Sequence, residues 1–278
     1  MNKNLTLAII LSICTVCFCA AQNLVTPQPS PTENIKQNFG LSQIEVSYSR
    51  PGVKGRKIFG DLVPYNKVWR TGANNATTIT FGDDVTINGT KIPAGKYGLL
   101  TIPAPDEWTI IFTKQTDVTN ASAYKQDQDV LRVSVKPFQL PFSIENFTIS
   151  FNNITSNSCN LELMWDSVYV QMPITTDIDT KIMTQIKQIM EGDNLPYFQA
   201  AQYYIDNGKD LNQAVEWLDK AIAQNPDGYF IYYQKARALA KLGKKQDAIA
   251  ASNKSIELAK AAKNDDYVTL NEKLQKGL

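Results

Sequence analysis

From Ile44 to about Thr175 apolar and polar residues alternate with a period of two, in the short runs IEVSYS, TTITF, YGLLTI, EWTIIFTK, VLRVSVKPF, FTISF, NLELMW and VYVQMPI. That alternation predicts half-buried strands, and the short spacers predict antiparallel pairing into a β-sandwich. Asn88-Gly89, between VTI and TKI, tolerates the positive φ of a two-residue hairpin turn. Pro93-Ala94-Gly95 turns the chain into a strand from Lys96 to Ile102.

After Pro173 the apolar period lengthens to about 3.6 residues. Asp177 is placed to cap a helix whose one face carries Ile178, Ile182, Ile186, Ile189 and Met190. This helix is expected to pack on the sandwich or to bridge to the C-terminal helices. The stretch PYFQAAQYYIDNGKDLNQAVEWLDKAIAQNP predicts two helices broken at Asn207-Gly208, and YFIYYQKARALAKLGKKQDAIAASNKSIELA predicts two more broken at Gly243. The fold class is therefore β followed by α. The predicted segments are a signal peptide over 1–21, a flexible linker over 22–34, a β-sandwich over 35–176, a bridging helix over 177–193 and a helical stack over 194–278.

The N-terminal assignment rests on MNKNLTLAIILSICTVCFCAAQ, which joins one lysine to an apolar run from Leu5 to Phe18 and then to small residues, the pattern of a secretory signal. The run is shorter than the ~20 residues of a spanning helix, and no later segment comes closer, so no transmembrane segment is expected. Cleavage after Ala21 would make Gln22 the first residue of an exported chain, periplasmic or extracellular. Large residues precede Cys14, Cys17 and Cys19, which weighs against a lipid anchor. Three prolines in QNLVTPQPSPTEN mark the linker.

Loss of the signal removes three of the four cysteines and leaves Cys159 alone, so stability must come from packing. It also removes one lysine and leaves 27 basic and 27 acidic residues, a balance that does not favour a nucleic-acid partner. The chain has no histidine. Ser-His-Asp and Cys-His catalysis, His-ligated metals and a histidine base are thereby excluded, which leaves an enzyme only carboxylate, lysine, tyrosine or serine chemistry. No phosphate loop, nucleotide fingerprint or nucleophile elbow is present, so no catalytic residue, cofactor or metal is assigned. Gly52-Val53-Lys54-Gly55 has the form of a nucleic-acid-clamping loop but precedes strands, and Asp117, Asp127 and Asp129 lack the glycine and glutamate of a calcium loop.

One stretch carries candidate recognition chemistry, NKVWRTGANNATTITF at 66–81. As a site, Arg50, Arg56, Lys57 and Arg70 would gather near Trp69 as a stacking plate, with Asn74 and Asn75 as hydrogen-bond forks for a glycan or an anionic polymer. As structure, Trp69 would be a core residue, Arg70 would pair with Glu45 or Asp61, and Thr71 to Asn74 would form a turn needing one residue of positive φ. The structural reading has the greater weight, with an anion or glycan contact at the rim.

The surrounding sequence, SYSRPGVKGRKIFGDLVPYNKVWRTGANNATTITFGDDVTINGTKIPAGKYGLLTIPAPDEWTIIFTK, resembles nearly without gaps a family of exported bacterial proteins, domain of unknown function 2911, from about Thr32 to Ile174. The resemblance implies an exported β-sandwich, often joined to tetratricopeptide repeats, and implies no activity. The helical half resembles those repeats in turn. Ala214 and Ala248 lie one 34-residue period apart. Tyr197, Ala201, Tyr204, Gly208, Ala214, Ala221 and Pro226 occupy consensus places in a first repeat; Tyr232, Ala236, Leu239, Gly243 and Ala248 do so in a second. Ser255 and Lys260 stand there where alanine and proline are usual, and Asp265 to Leu278 supplies a covering helix. The resemblance implies a protein partner, with Tyr203, Gln234, Arg237 and Lys241 as candidate contacts.

Overall fold

The computed structural model describes residues 26–189 and 195–278. The signal peptide over 1–21 and Met190 of the predicted bridging helix lie outside the described residues. The chain divides into two compact units between Asp177 and Ile178.

The first unit is a β-sandwich of ten strands: β1 (Thr32–Phe39), β2 (Ser42–Ser49), β3 (Thr78–Phe81), β4 (Val85–Ile87), β5 (Thr90–Ile92), β6 (Gly95–Ile102), β7 (Trp108–Thr113), β8 (Asp129–Val135), β9 (Phe138–Asn152) and β10 (Ser158–Thr175). One sheet runs β1-β2-β3-β6-β7-β8, the other β5-β4-β10-β9, with every pairing antiparallel. The two-residue periodicity sends alternate side chains to opposite faces. Thus Ile44, Val46 and Tyr48 of β2 face inward and meet Phe147, Ile149 and Phe151 of β9 and Leu161, Leu163 and Trp165 of β10 in a single core. Asn88 and Gly89 both take positive φ, 48° and 76°, as the hairpin between β4 and β5 requires.

Two strands differ from their sequence reading. β1 starts at Thr32, inside the stretch read as linker, and pairs with β2 along its whole length from Thr32 opposite Ser49 to Phe39 opposite Ser42. As an edge strand it gives the core little besides Ile35 and Phe39, so its sequence is too polar to read as a strand. The runs NLELMW and VYVQMPI form one strand, β10. Asp166 at their junction takes a φ of 51°, and the register with β9 shifts on both sides of it. This is a bulge, which bends the strand without ending it.

A polar clasp joins the sheets. The Tyr48 hydroxyl donates to the Glu33 carboxylate on β1 and accepts the Ile149 amide of β9 at 3.0 Å. Arg50 lies 3.2 Å from the same carboxylate and donates to the Phe147 carbonyl and the Thr148 hydroxyl.

The second unit contains α1 (Asp179–Ile189), α2 (Tyr197–Asp206), α3 (Leu211–Gln224), α4 (Tyr229–Lys241), α5 (Lys245–Ala261) and α6 (Asp265–Lys276). Gly208 and Gly243 end α2 and α4 with φ of 64° and 73°, a conformation that costs glycine least. Asp210 caps α3 by accepting the amides of Asn212 and Gln213. Ala201, Ala214, Ala221 and Ala238 are buried where helices approach closely. The predicted bridging helix is α1, tied to the repeats by Asp179, which accepts from the Tyr203 hydroxyl at 2.7 Å and from Lys209 at 2.8 Å. The Lys209 and Tyr203 bonds hold the Asp179 carboxyl below its ordinary range. Ser255 has a role that alanine could not fill. It donates to the Tyr229 carbonyl at 2.8 Å and accepts from the fully buried Asn271 at 2.8 Å, while Ser252 donates to the Asn271 oxygen at 2.9 Å. This buried network aligns α6 against α5.

Burial and the Glu33 bond both push the Tyr48 phenol above its ordinary pKa. A raised phenol pKa contributes stability that is intact below the unfolded value of about 10 and is lost as pH rises through the folded value. Tyr48→Phe strands the Ile149 amide and is expected to lower stability at pH 7 by about 1–3 kcal/mol in urea titrations. Above about pH 10 the wild type should weaken and the gap between the two proteins should narrow. Equal stabilities at pH 7 would dismiss the clasp.

Candidate functional site

The stretch 66–81 enters β3 through a segment built around Trp69. Its backbone pairs with Thr101 of β6, the Trp69 amide donating at 2.7 Å and its carbonyl accepting at 3.0 Å. This places the half-buried indole in an aromatic cluster. It stacks on Trp165 at 5.7 Å and 18°, and meets Phe147 at 5.0 Å and Phe59 at 6.3 Å in edge contacts. The indole nitrogen donates to the Gly72 carbonyl at 3.0 Å. Trp69 is therefore a wall of the core: Trp165 lies against one face of the ring, and the half-buried indole also lines the cleft described below.

The turn after Arg70 is tighter than expected. Three residues from Thr71 to Asn74 take positive φ, not one: Thr71 at 56°, Gly72 at 153° and Asn74 at 54°. A β-branched residue there is a strained exception. Thr71 is held by complete burial, by its hydroxyl contact with Thr101 at 3.1 Å and by the Thr77 hydroxyl donating to its carbonyl at 2.7 Å. A Cβ on Gly72 would come within 3.0 Å of the Ser49 carbonyl and the Thr77 hydroxyl.

Arg56 reaches the same region from a second turn. Lys54 and Gly55 take positive φ, and the chain before them is fixed to β9 by the Val53 amide on the Glu145 carbonyl and the Phe147 amide on the Pro51 carbonyl. Within this turn the Arg56 guanidinium donates to the Val53 carbonyl at 3.1 Å and the Gly52 carbonyl at 2.6 Å.

The two turns enclose a cleft of about 310 Å³ whose walls include Arg56, Trp69 and Arg70, together with Ser30, Leu62 and Trp165. Of the predicted site residues it brings together these three and not the others. Arg50 is engaged with Glu33, Phe147 and Thr148. Lys57 is exposed and outside the lining, and the Asn74 amide is used in donating to the Ser30 carbonyl at 2.9 Å. Arg70 pairs with neither Glu45 nor Asp61. It donates to the Thr119 carbonyl, 49 positions along the chain, and its buried Nε has no partner. Leu62, exposed at 44%, and Trp165 escaped sequence reading because their place in the cleft depends on how the sheets pack.

The displaced titratable groups lie elsewhere. Burial pushes the Cys159 thiol up to about 11 and, with Glu162, the Tyr169 phenol up to about 12; burial and Asp129 do the same for Tyr124, up to about 12. Such groups stay protonated near neutrality, and none of them lines the cleft.

In the helical unit a groove of about 520 Å³ runs between α4 and α6, lined by Tyr233, Arg237, Lys241, Leu270, Lys273 and Leu274 among others. Arg237 and Lys241 line it as predicted positions. Each is also braced, Arg237 by Asp206 at 3.0 Å and Lys241 by the Ile205 carbonyl at 2.6 Å. Gln234 is not a surface contact. It is buried at 6% exposure and accepts from Arg237 at 2.7 Å, because its place on α4 turns it inward. Tyr203 is occupied by Asp179 and lies outside this groove.

Residues 30–174, more than half of the chain, match the family described as "Protein of unknown function (DUF2911)", and the chain belongs to that family. Residues 217–250, from α3 into α5, match a tetratricopeptide repeat. No curated protein and no solved structure matches the chain.

If Trp69 is structural, Trp69→Ala should destabilise the sandwich by about 3 kcal/mol or more in urea unfolding. Lys57→Ala should change it by no more than about 0.5 kcal/mol. A Trp69→Ala protein as stable as wild type would return the indole to the surface.

Proposed function

We propose that the protein is an exported, non-enzymatic binding or scaffolding protein of the bacterial envelope, in which the helical unit takes a protein partner and the sandwich a separate ligand. The observation that carries this reading is the groove between α4 and α6. Leu270 is exposed at 39% on its wall, next to Arg237, Lys241 and Lys273, and no acidic side chain is among its lining residues. Such a surface complements a partner segment that presents apolar side chains and carboxylates. The tetratricopeptide match supports a protein in that place. Export is supported by the lysine, apolar run and small residues of the first 21 positions.

Affinity capture of the mature chain from its own envelope fraction tests the reading. Leu270→Ser and Lys273→Glu, both on exposed positions, should each deplete the specific partner at least tenfold while leaving helix content unchanged. A partner retained by both variants would move recognition away from this groove.

A further inference from the structure

We propose that the cleft between the 51–56 and 69–73 segments of the sandwich is a binding site for a small carboxylated ligand of the size of one sugar ring, the chemistry of a uronic acid. This assignment takes up the sandwich half of the functional reading and is independent of the helical groove.

The chain has five arginines, and three of them are neutralised by carboxylates: Arg50 by Glu33, Arg132 by Asp129 and Arg237 by Asp206. The remaining two, Arg56 and Arg70, have no carboxylate partner among the described residues, and both line this one cleft. No acidic residue is in the lining. Two guanidinium groups are thus held by backbone carbonyls alone, Arg56 by Gly52 and Val53, Arg70 by Thr119. Neutral acceptors fix their orientation and leave their charge uncompensated.

The rest of the lining matches a compact organic anion better than a bare ion. Leu62, Val63, Pro51 and the two indoles give the cleft an apolar side, and Ser30 and Gly72 give it a polar one. Its volume of about 310 Å³ sits at the small end of ligand pockets and suits a single ring. The strain in the wall points the same way. Thr71, a β-branched residue, keeps a left-handed backbone at the start of the segment that carries Gly72 and Ala73 to the cleft edge, and conformations of this cost persist where the surroundings fix a functional geometry. Arg70 brings a second such sign, a guanidinium Nε that is buried without an acceptor.

Titration calorimetry of the full mature chain with D-glucuronate, a glucuronate-bearing tetrasaccharide, D-glucose and sodium sulfate tests the proposal; the first two distinguish a free acid from a residue within a glycan. Glucuronate, free or in the tetrasaccharide, should bind, with D-glucose and sulfate at least tenfold weaker. Arg56→Gln and Arg70→Gln should each weaken it at least tenfold, and Lys57→Gln should leave it unchanged. Arg56 is exposed, so Arg56→Gln decides the matter if Arg70→Gln fails to fold. Absence of binding by both acids, glucose or sulfate binding as tightly, or wild-type affinity in Arg56→Gln would overturn the proposal.

Discussion

The contact on which the sandwich and its cleft both depend is the stacking of Trp69 against Trp165. It brings a loop-borne indole of the first sheet's entry segment onto a strand of the second sheet, with Phe59 and Phe147 closing around the pair. Aromatic clusters of this kind bury large apolar area and prefer fixed offset or edge geometries. The backbone turns sharply between the indole and β3, with positive φ at Thr71, Gly72 and Asn74. Arg70, next in the chain to the indole, is left at the lip of the cleft.

The two units solve the same packing problem with different side chains. In the sandwich, large residues interlock between sheets. In the helical stack, alanines allow close approach, and a buried hydroxyl and amide network replaces one of them at Ser255. Neither solution needs a disulfide, and the one described cysteine, Cys159, is buried and behaves as a small apolar side chain. Both units leave cations on a concave surface with apolar neighbours. In the groove one arginine already has its counter-ion, while in the cleft neither has.

Most of the architecture was legible because it rests on local periodicity. The strands from Ile44 onward, the Asn88-Gly89 hairpin and the helix breaks at Gly208 and Gly243 all arise from short-range patterns. β1 was not, since an edge strand is largely polar, and neither was the continuity of β10 through Asp166, because a bulge carries no strong sequence mark. The site was half legible. Arg56, Trp69 and Arg70, which the sequence singled out, line one cleft, but their partners could not be read, since the Thr119 carbonyl and the Trp165 ring are supplied by segments 49 and 96 positions away. Arg50 and Gln234 were misplaced because hydrogen bonds to Phe147 and within α4 decide where each one points.

The Trp69 indole is a fixed part of the core, and Arg70 beside it is brought to the cleft by that placement. Native-state hydrogen exchange of the four indole N–H groups, followed by NMR, measures this directly. The Trp69 indole proton, bonded to the Gly72 carbonyl, should exchange as slowly as that of Trp165, close to the limit set by unfolding of the sandwich. Exchange of the Trp69 proton at the rate of an exposed loop would show that the indole is not held in the core.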